Sequence, residues 1–154
     1  MTKLSDLTAF LAIQIRADLA LKTFCLENFS KEITIFDGQD ENELPEETHC
    51  PFIVFDSGGR SMSGGMHMKS GEVAIGTVFK KDVKGSLVNG IQNFPGKDLI
   101  EPFFDELVRI FIEAKHVSKQ FVYDFVPGQS DKIEFPYFKF WIGLSVQYDS
   151  GYRD

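Results

Sequence analysis

The sequence predicts an α+β fold, a single domain whose largely antiparallel or mixed sheet is packed by two main helices. Three observations carry this. Apolar residues recur at helical spacing in two stretches, one near the N-terminus and one from Asp98 to Ala114. From Phe138 to Tyr148 the chain alternates with a period of two over eleven residues. The remaining apolar runs are joined by hairpin-sized connections, in the order α-β-β-β-α-β-β, with no repeated crossover helices. With 154 residues, 43% of them hydrophobic, the chain suits one core, and no repeat or linker divides it. Residues 1–154 therefore read as one domain carrying an acidic loop at 37–47 and a glycine-rich arm at 56–71.

Each element has its own signal. Ser5-Asp6 is placed to cap a helix running to Phe24 or Phe29, with Leu4, Leu7, Leu11, Ile15 and Leu19 on one face and Phe10, Ala17, Leu21 and Phe24 beside them. Ile33-Thr34-Ile35-Phe36 reads as a short strand ended by Asp37-Gly38, a turn dipeptide. Pro51 introduces Phe52-Ile53-Val54-Phe55, a continuous apolar run suited to a buried strand. Asp56 to Gly71 is rich in Gly and Ser and has no large apolar group except Met, which suits a hairpin arm or long loop. From Glu72 to Val83, Val73, Ile75, Thr77 and Phe79 alternate with small or apolar Ala74, Gly76 and Val78, which predicts a strand buried on both sides. Lys84 to Gly96 is glycine-rich but keeps Leu87, Val88, Ile91 and Phe94.

Asp98 with Glu101 offers a capping box for the second helix, and Pro102 after Glu101 offers an alternative start. Its apolar band is Ile100, Phe103, Leu107, Ile110 and Phe111, widened by Phe104, Val108 and Ile112. Asp105 and Arg109 make an i,i+4 pair on the opposite face. Phe121 to Val126 is a strand stopped by Pro127-Gly128. In the last strand, Phe138, Phe140, Ile142, Leu144, Val146 and Tyr148 form a buried face, and Lys139, Trp141, Gly143, Ser145 and Gln147 a mixed one.

Composition narrows the function classes. The formal net charge is −7, and six of the 23 acids lie between Asp37 and Glu47 without a base. The other 17 face 16 bases, so the acidity belongs to one loop. Asp40, Glu41, Glu43, Glu46 and Glu47 make that loop a candidate acidic surface for a basic partner or a cation, beside its plain reading as a solvated connection. Its spacing does not match a calcium loop. An acidic chain argues against sequence-specific nucleic-acid binding. No apolar run approaches the ~20 residues that cross a membrane, and the first residues do not resemble a signal peptide. Two cysteines, Cys25 and Cys50, are too few for a disulfide scaffold, so a reduced cytosolic site of synthesis is expected.

Catalytic signatures are thin. His49, His67 and His116 lie far apart, and His49-Cys50 supplies two soft ligands where zinc needs three or four. Met62, Met66, His67 and Met68 could hold Cu(I) in principle, but Met there also suits an arm adapting to a partner surface. Neither a phosphate-cradling glycine motif nor a nucleophile elbow occurs. No cofactor or metal is expected, and no enzymatic activity. Sixteen Phe are many for 154 residues; Phe103, Phe104, Phe111, Phe138, Phe140 and Trp141 supply either a Phe-rich core or surface held for another subunit.

The order of elements carries a resemblance. An N-terminal helix is followed by a short strand and an acidic-polar loop. Next come the strand Cys50-Pro51-Phe52-Ile53-Val54-Phe55, a glycine-rich hairpin and the strand Gly71-Glu72-Val73-Ala74-Ile75-Gly76-Thr77-Val78. The amphipathic helix from Asp98 and the strand from Phe135 to Tyr148 close the chain. This order resembles the tail-terminator (tail-completion) proteins of long-tailed bacteriophages and related tail-like particles, with the best local matches at Pro51-Phe52 and Phe135-Pro136-Tyr137-Phe138. The resemblance implies a non-enzymatic virion protein, made in the host cytoplasm. It would form a homo-oligomeric ring, a hexamer, on the last ring of the tail tube. There it would stop tube polymerisation and present a surface to the head connector. Partners would be further copies of the chain, the tube protein and the connector. Arg60, Met62, Met66 and Met68 on the arm, with Leu87, Ile91 and Phe94, are the candidate subunit or tube interface. A ring of acidic loops could line a channel that DNA passes. Two other classes stay open: a small acidic inhibitor or immunity-type protein binding through the loop, and a small-molecule enzyme with a pocket under the sheet.

Overall fold

The N-terminal apolar pattern forms two helices in the computed structural model, which describes residues 3–38, 47–63, 68–118, 121–127 and 131–149, with side chains for all of these except 47 and 58–63. Helix α1 (Leu4–Ala17) starts one residue before the expected cap. Asp6 sits inside the first turn, where its carboxylate accepts the Lys3 amide at 2.8 Å. Helix α2 (Leu19–Phe29) begins after Asp18, whose backbone is extended at φ −76° and ψ 117°. The single long helix is overturned here because Asp18 caps the second one, accepting the Leu21 amide at 2.8 Å. The break turns the face of the chain. Leu4, Leu7, Leu11 and Ile15 are buried, but Leu19, on the same expected face, is 76% exposed.

Strand β1 (Thr34–Asp37) pairs in parallel with β2 (Phe52–Ser63), which forms an antiparallel hairpin with β3 (Met68–Lys80). The arm expected at 56–71 is thus the far end of this hairpin, with a register shift between Ser57 and Arg60. Beyond β3 come two very short strands, β4 (Leu87–Val88) and β5 (Ile91–Gln92), then a 3-10 turn (Pro95–Leu99) leading into α3 (Ile100–Val117). Neither expected start of α3 is used. Leu99 occupies the cap without a side-chain hydrogen bond, and Pro102 is the third helical residue.

Strands β6 (Phe121–Val126) and β7 (Lys132–Glu134) lie end to end along one edge of β8 (Tyr137–Asp149). The main sheet runs β1-β2-β3-β8-β6, with β7 also on β8. Among the described strands, only the β1–β2 pair is parallel. This is an α+β domain of two layers, three helices against one face of a mixed sheet.

The layers meet through aromatic rings. Phe103 of α3 lies 5.3 Å from Phe24 and 5.7 Å from Phe29 of α2, 5.9 Å from Phe79 of β3 and 5.4 Å from Phe140 of β8, centroid to centroid. Phe79 stacks on Phe138 at 5.2 Å. The Phe surplus is therefore mainly core: Phe103, Phe111, Phe138 and Phe140 are fully buried. Phe104 packs on Phe140, half-buried. Gly96 is buried where a Cβ would come within 2.4 Å of Phe138 Cε2, so the turn before α3 can lie flat on that ring only with glycine. Cys25 packs as a small apolar group, and burial pushes its thiol up to about 12. Tyr123, raised to about 12 by the same cause, donates its hydroxyl to the Phe111 carbonyl at 2.6 Å.

Arg109 of α3 ties the helices together. The expected Asp105 pair is replaced by Asp18 at 2.7 Å, Glu106 at 2.8 Å and Glu113 at 3.1 Å. Burial alone would raise the Asp18 carboxyl. The Arg109 guanidinium and the Leu21 and Ala20 amides outweigh it and hold the group below its ordinary 3.8. Asp18 and Glu106 in turn raise the guanidinium.

Two predictions follow from these contacts. Asp18→Asn keeps a capping side chain and loses the charge; it should cost about 0.5–1 kcal/mol, the range of partly solvated pairs. Asp18→Ala also loses the cap and should cost about 2 kcal/mol. Because the folded carboxyl lies below 3.8, its stabilisation is complete above that pH and disappears as pH falls through the folded value. Urea unfolding across pH should show the Asp18→Asn gap closing in acid; a gap that persists there assigns the effect to something other than the carboxylate.

In the core, Phe103→Ala should cost about 3–5 kcal/mol. Thr77 gives the opposite sign. Its Oγ1 is buried without a hydrogen-bond partner, alone in this among the described residues. Thr77→Val, similar in shape, should raise stability by about 1 kcal/mol in the same assay; a loss would mean the hydroxyl is satisfied.

Candidate interaction surface

A sheet with helices on one face exposes its other face, and the strand register states what lies there. Phe36, Val54, Gly76 and Trp141 form one row across β1, β2, β3 and β8. Phe52, Val78 and Lys139 form the next row below. Asp56, Ala74, Gly143 and Val126 form the one above, and Glu72, Ser145 and Asp124 the one beyond it. None of these residues belongs to the core cluster under the helices. The expectation that 72–83 is buried on both sides is corrected by this arrangement. Val73, Ile75, Thr77 and Phe79 are buried, while Glu72 and Ala74 are exposed and Gly76 and Val78 half-exposed.

The centre of the face is apolar. Phe36 meets Phe52 edge-to-face at 5.9 Å and His49 at 5.2 Å. The Trp141 indole lies over Gly76, its Nε1 3.4 Å from where a Cβ would stand. Small residues leave a dip beside it, lined by Asp56, Glu72, Ala74, Val126 and Gly143. The two ends of the face differ in charge. Lys80, Lys132 and Lys139 stand at the lower end with Glu134, and Asp56, Glu72, Asp124 and Asp149 at the upper end. Glu134 is paired with both Lys132 and Lys139, and Asp124 is held by Lys115 at 2.6 Å.

A second apolar feature projects from the lower end. β4 and β5 form a finger closed by Asn89 and Gly90, both at positive φ, 51° and 76°. That conformation is the one a two-residue type I′ hairpin turn requires. The Gly85 amide donates to the Asn93 carbonyl at 2.9 Å, and the Gln92 side chain ties Gly85 to the same base. Leu87, Val88 and Ile91 are 66%, 58% and 68% exposed. The sequence-level reading of 84–96 is a glycine-rich segment that keeps Leu87, Val88, Ile91 and Phe94; the Asn-Gly pair between Val88 and Ile91 is the signal that finds the hairpin.

The sequence-level candidates separate. Leu87 and Ile91 stand together on the finger, and Met68, 39% exposed, begins β3 at the opposite end of the sheet. Phe94 is half-buried: its ring lies 4.9 Å from Phe135 and packs on the core, at the finger's base. Arg60 and Met62 lie on the far end of β2, and their side chains are outside the description, as is Glu47 at the start of a short 3-10 turn (Glu47–His49). Met66 and His67, and Asp40, Glu41, Glu43 and Glu46 of the acidic loop, fall outside the described residues. Cys50 lines a cleft with Phe29, Lys31, Thr48, Pro51 and Lys80, while the His49 ring packs on Phe36. No three His, Cys, Asp or Glu groups converge as metal ligands among the described residues. Of this face, the sequence-level aromatic set includes Trp141 and omits Phe36, Phe52 and Val54. Their signal is the alternation in β3 and β8, whose second face is small or apolar and not charged.

Trp141 is the single tryptophan of the chain and half-exposed at the centre of this face. Its fluorescence at high dilution should therefore be quenched by acrylamide well before unfolding; an indole shielded as fully as a core residue would contradict the uncovered face. No protein-family model and no curated protein matches the sequence.

Proposed function

We propose that the chain is a structural virion protein of the tail-terminator kind. It assembles with further copies of itself into a ring, of six chains by the resemblance, that caps a phage-type tail tube. There it stops polymerisation of the tube protein and offers the head connector a surface. It works in the virion tail after synthesis in the host cytoplasm. The observation that carries this reading is the apolar centre of the open sheet face, bordered by charge of opposite sign at its two ends.

Three features support it. Contiguous apolar surface of this kind marks sites of protein association, and aromatic groups such as Trp141, Phe36 and Phe52 are the side chains that anchor interfaces. The open face and the finger are different patches at different places. A chain that uses two different patches makes heterologous contacts, which close into rings when the rotation between copies permits. The order of elements resembles the tail terminators over most of the chain.

The test is solution mass by light scattering across a concentration series, alone and with polymerising tube protein, with negative-stain imaging of large species. Closed rings of about six chains are expected, alone or on tube ends, together with arrest of tube growth. A chain that stays monomeric under both conditions and leaves tube length unchanged would falsify the proposal, and a salt-sensitive one-to-one complex with a basic protein would replace it with the inhibitor reading.

A further inference from the structure

We infer that the finger of one copy seats in the dip on the open sheet face of the next, with the finger's foot against that copy's acidic rim. The inference rests on the ring reading above and names the two surfaces that make the ring.

The finger cannot serve its own chain this way. Its foot is clamped at the lower end on the helix side, where Gly96 lies on Phe138 and Phe94 on Phe135. The dip lies on the opposite face, at Ala74, six residues up β3 from Lys80. Six strand residues span roughly 20 Å, and the four residues from Gly85 to the turn reach about 13 Å. The socket for Leu87, Val88 and Ile91 must be on another molecule.

Shape and charge then favour a second copy as the occupant. The finger from Gly85 to Asn93 carries no charge and presents three exposed apolar side chains. The dip is floored by Ala74, Gly143 and Val126, with Trp141 and Val54 in the row beside it. The foot holds Lys80, Lys81, Lys84 and Lys97 against Asp82 and Asp98, an excess of base. Lys81 is engaged with the Asn28 carbonyl, and Lys84 stands over the Phe135 ring at 5.3 Å. The dip is lined by Asp56 and Glu72, both exposed. With the apolar tip over the small-residue floor, Lys84, three residues before Leu87, is the base of the foot that reaches toward these acids. The reverse orientation would set the foot against Lys132 and Lys139. Opposite charge across an interface sets its register in this way. The contact runs from the lower end of one copy to the upper end of the next, which is the heterologous geometry a ring needs.

The test is complementation between two variants altered at exposed positions. Leu87→Asp/Ile91→Asp removes the finger's apolar tip, and Ala74→Arg places a charged side chain on the dip; circular dichroism checks that each folds. Each variant alone should self-associate about 30-fold more weakly or worse, the size of losing a hot-spot side chain. Mixed, they should form a one-to-one dimer and stop there, because only one intact finger and one intact face remain. Trp141 emission should shift to the blue only in the partner that supplies the intact face. Lys84→Glu should weaken assembly, and adding Asp56→Lys in the same chain should restore it. If wild-type rings form, alone or on tube ends, and Leu87→Asp/Ile91→Asp still forms them, the inference fails while the ring reading stands. If Ala74→Arg keeps the ring and loses only the tube protein, the face belongs to the tube and the inference also fails. A wild-type chain that is monomeric with and without tube protein overturns both.

Discussion

Phe103 is the contact on which the layers depend. One ring on α3 touches rings from α2, β3 and β8, so the position of the helical layer over the sheet is set at a single side chain. The ring contacts are edge-on or tilted in three cases and stacked in one, arrangements that the aromatic quadrupole favours. Around this hub the smaller groups adjust. Gly96 lets the turn before α3 lie on Phe138, and Phe29 reaches Phe79 from the end of α2 at 5.0 Å.

The break between α1 and α2 belongs to the same arrangement. Asp18 ends α1, caps α2 and binds Arg109 of α3, so three helix segments share one polar junction at the rim of the aromatic core. The carboxylate is 15% exposed and the guanidinium 35%. That leaves the pair wet enough to avoid the desolvation cost of a fully buried ion pair.

The described helices all lie on one side, which leaves the other face of the sheet without a helical layer. Burial under the helices uses the even-numbered positions of β8 from Phe138 to Tyr148, and the remaining positions carry Lys139, Trp141, Gly143, Ser145, Gln147 and Asp149. A face with half-exposed Trp141, Phe36, Phe52 and Val78 near its centre departs from the polar-out alternation of an antiparallel sheet with one wet side. The finger is a second departure, since a hairpin of two-residue strands exposes Leu87, Val88 and Ile91 while burying nothing of its own. Both departures break the local rule that exposed strand positions are polar.

The sequence by itself determined the local elements whose period is strong. The buried face of β8 is readable as strict alternation, and the band Phe103, Leu107, Ile110 and Phe111 as helical spacing; these patterns follow from backbone geometry and need no distant neighbour. It also carried the finger's turn, in Asn89-Gly90. The tertiary structure alone decided the rest. Leu19 faces solvent because the helix breaks at Asp18, a junction that also meets Arg109, 91 residues away. Whether Phe103 and Phe140 are core or surface depends on which layer lies above them, and composition does not contain that. The open face itself is a juxtaposition of β1, β2, β3 and β8. Phe36, Val54, Gly76 and Trp141 become one row only through pairing register, and register is set by contacts between segments far apart in the chain.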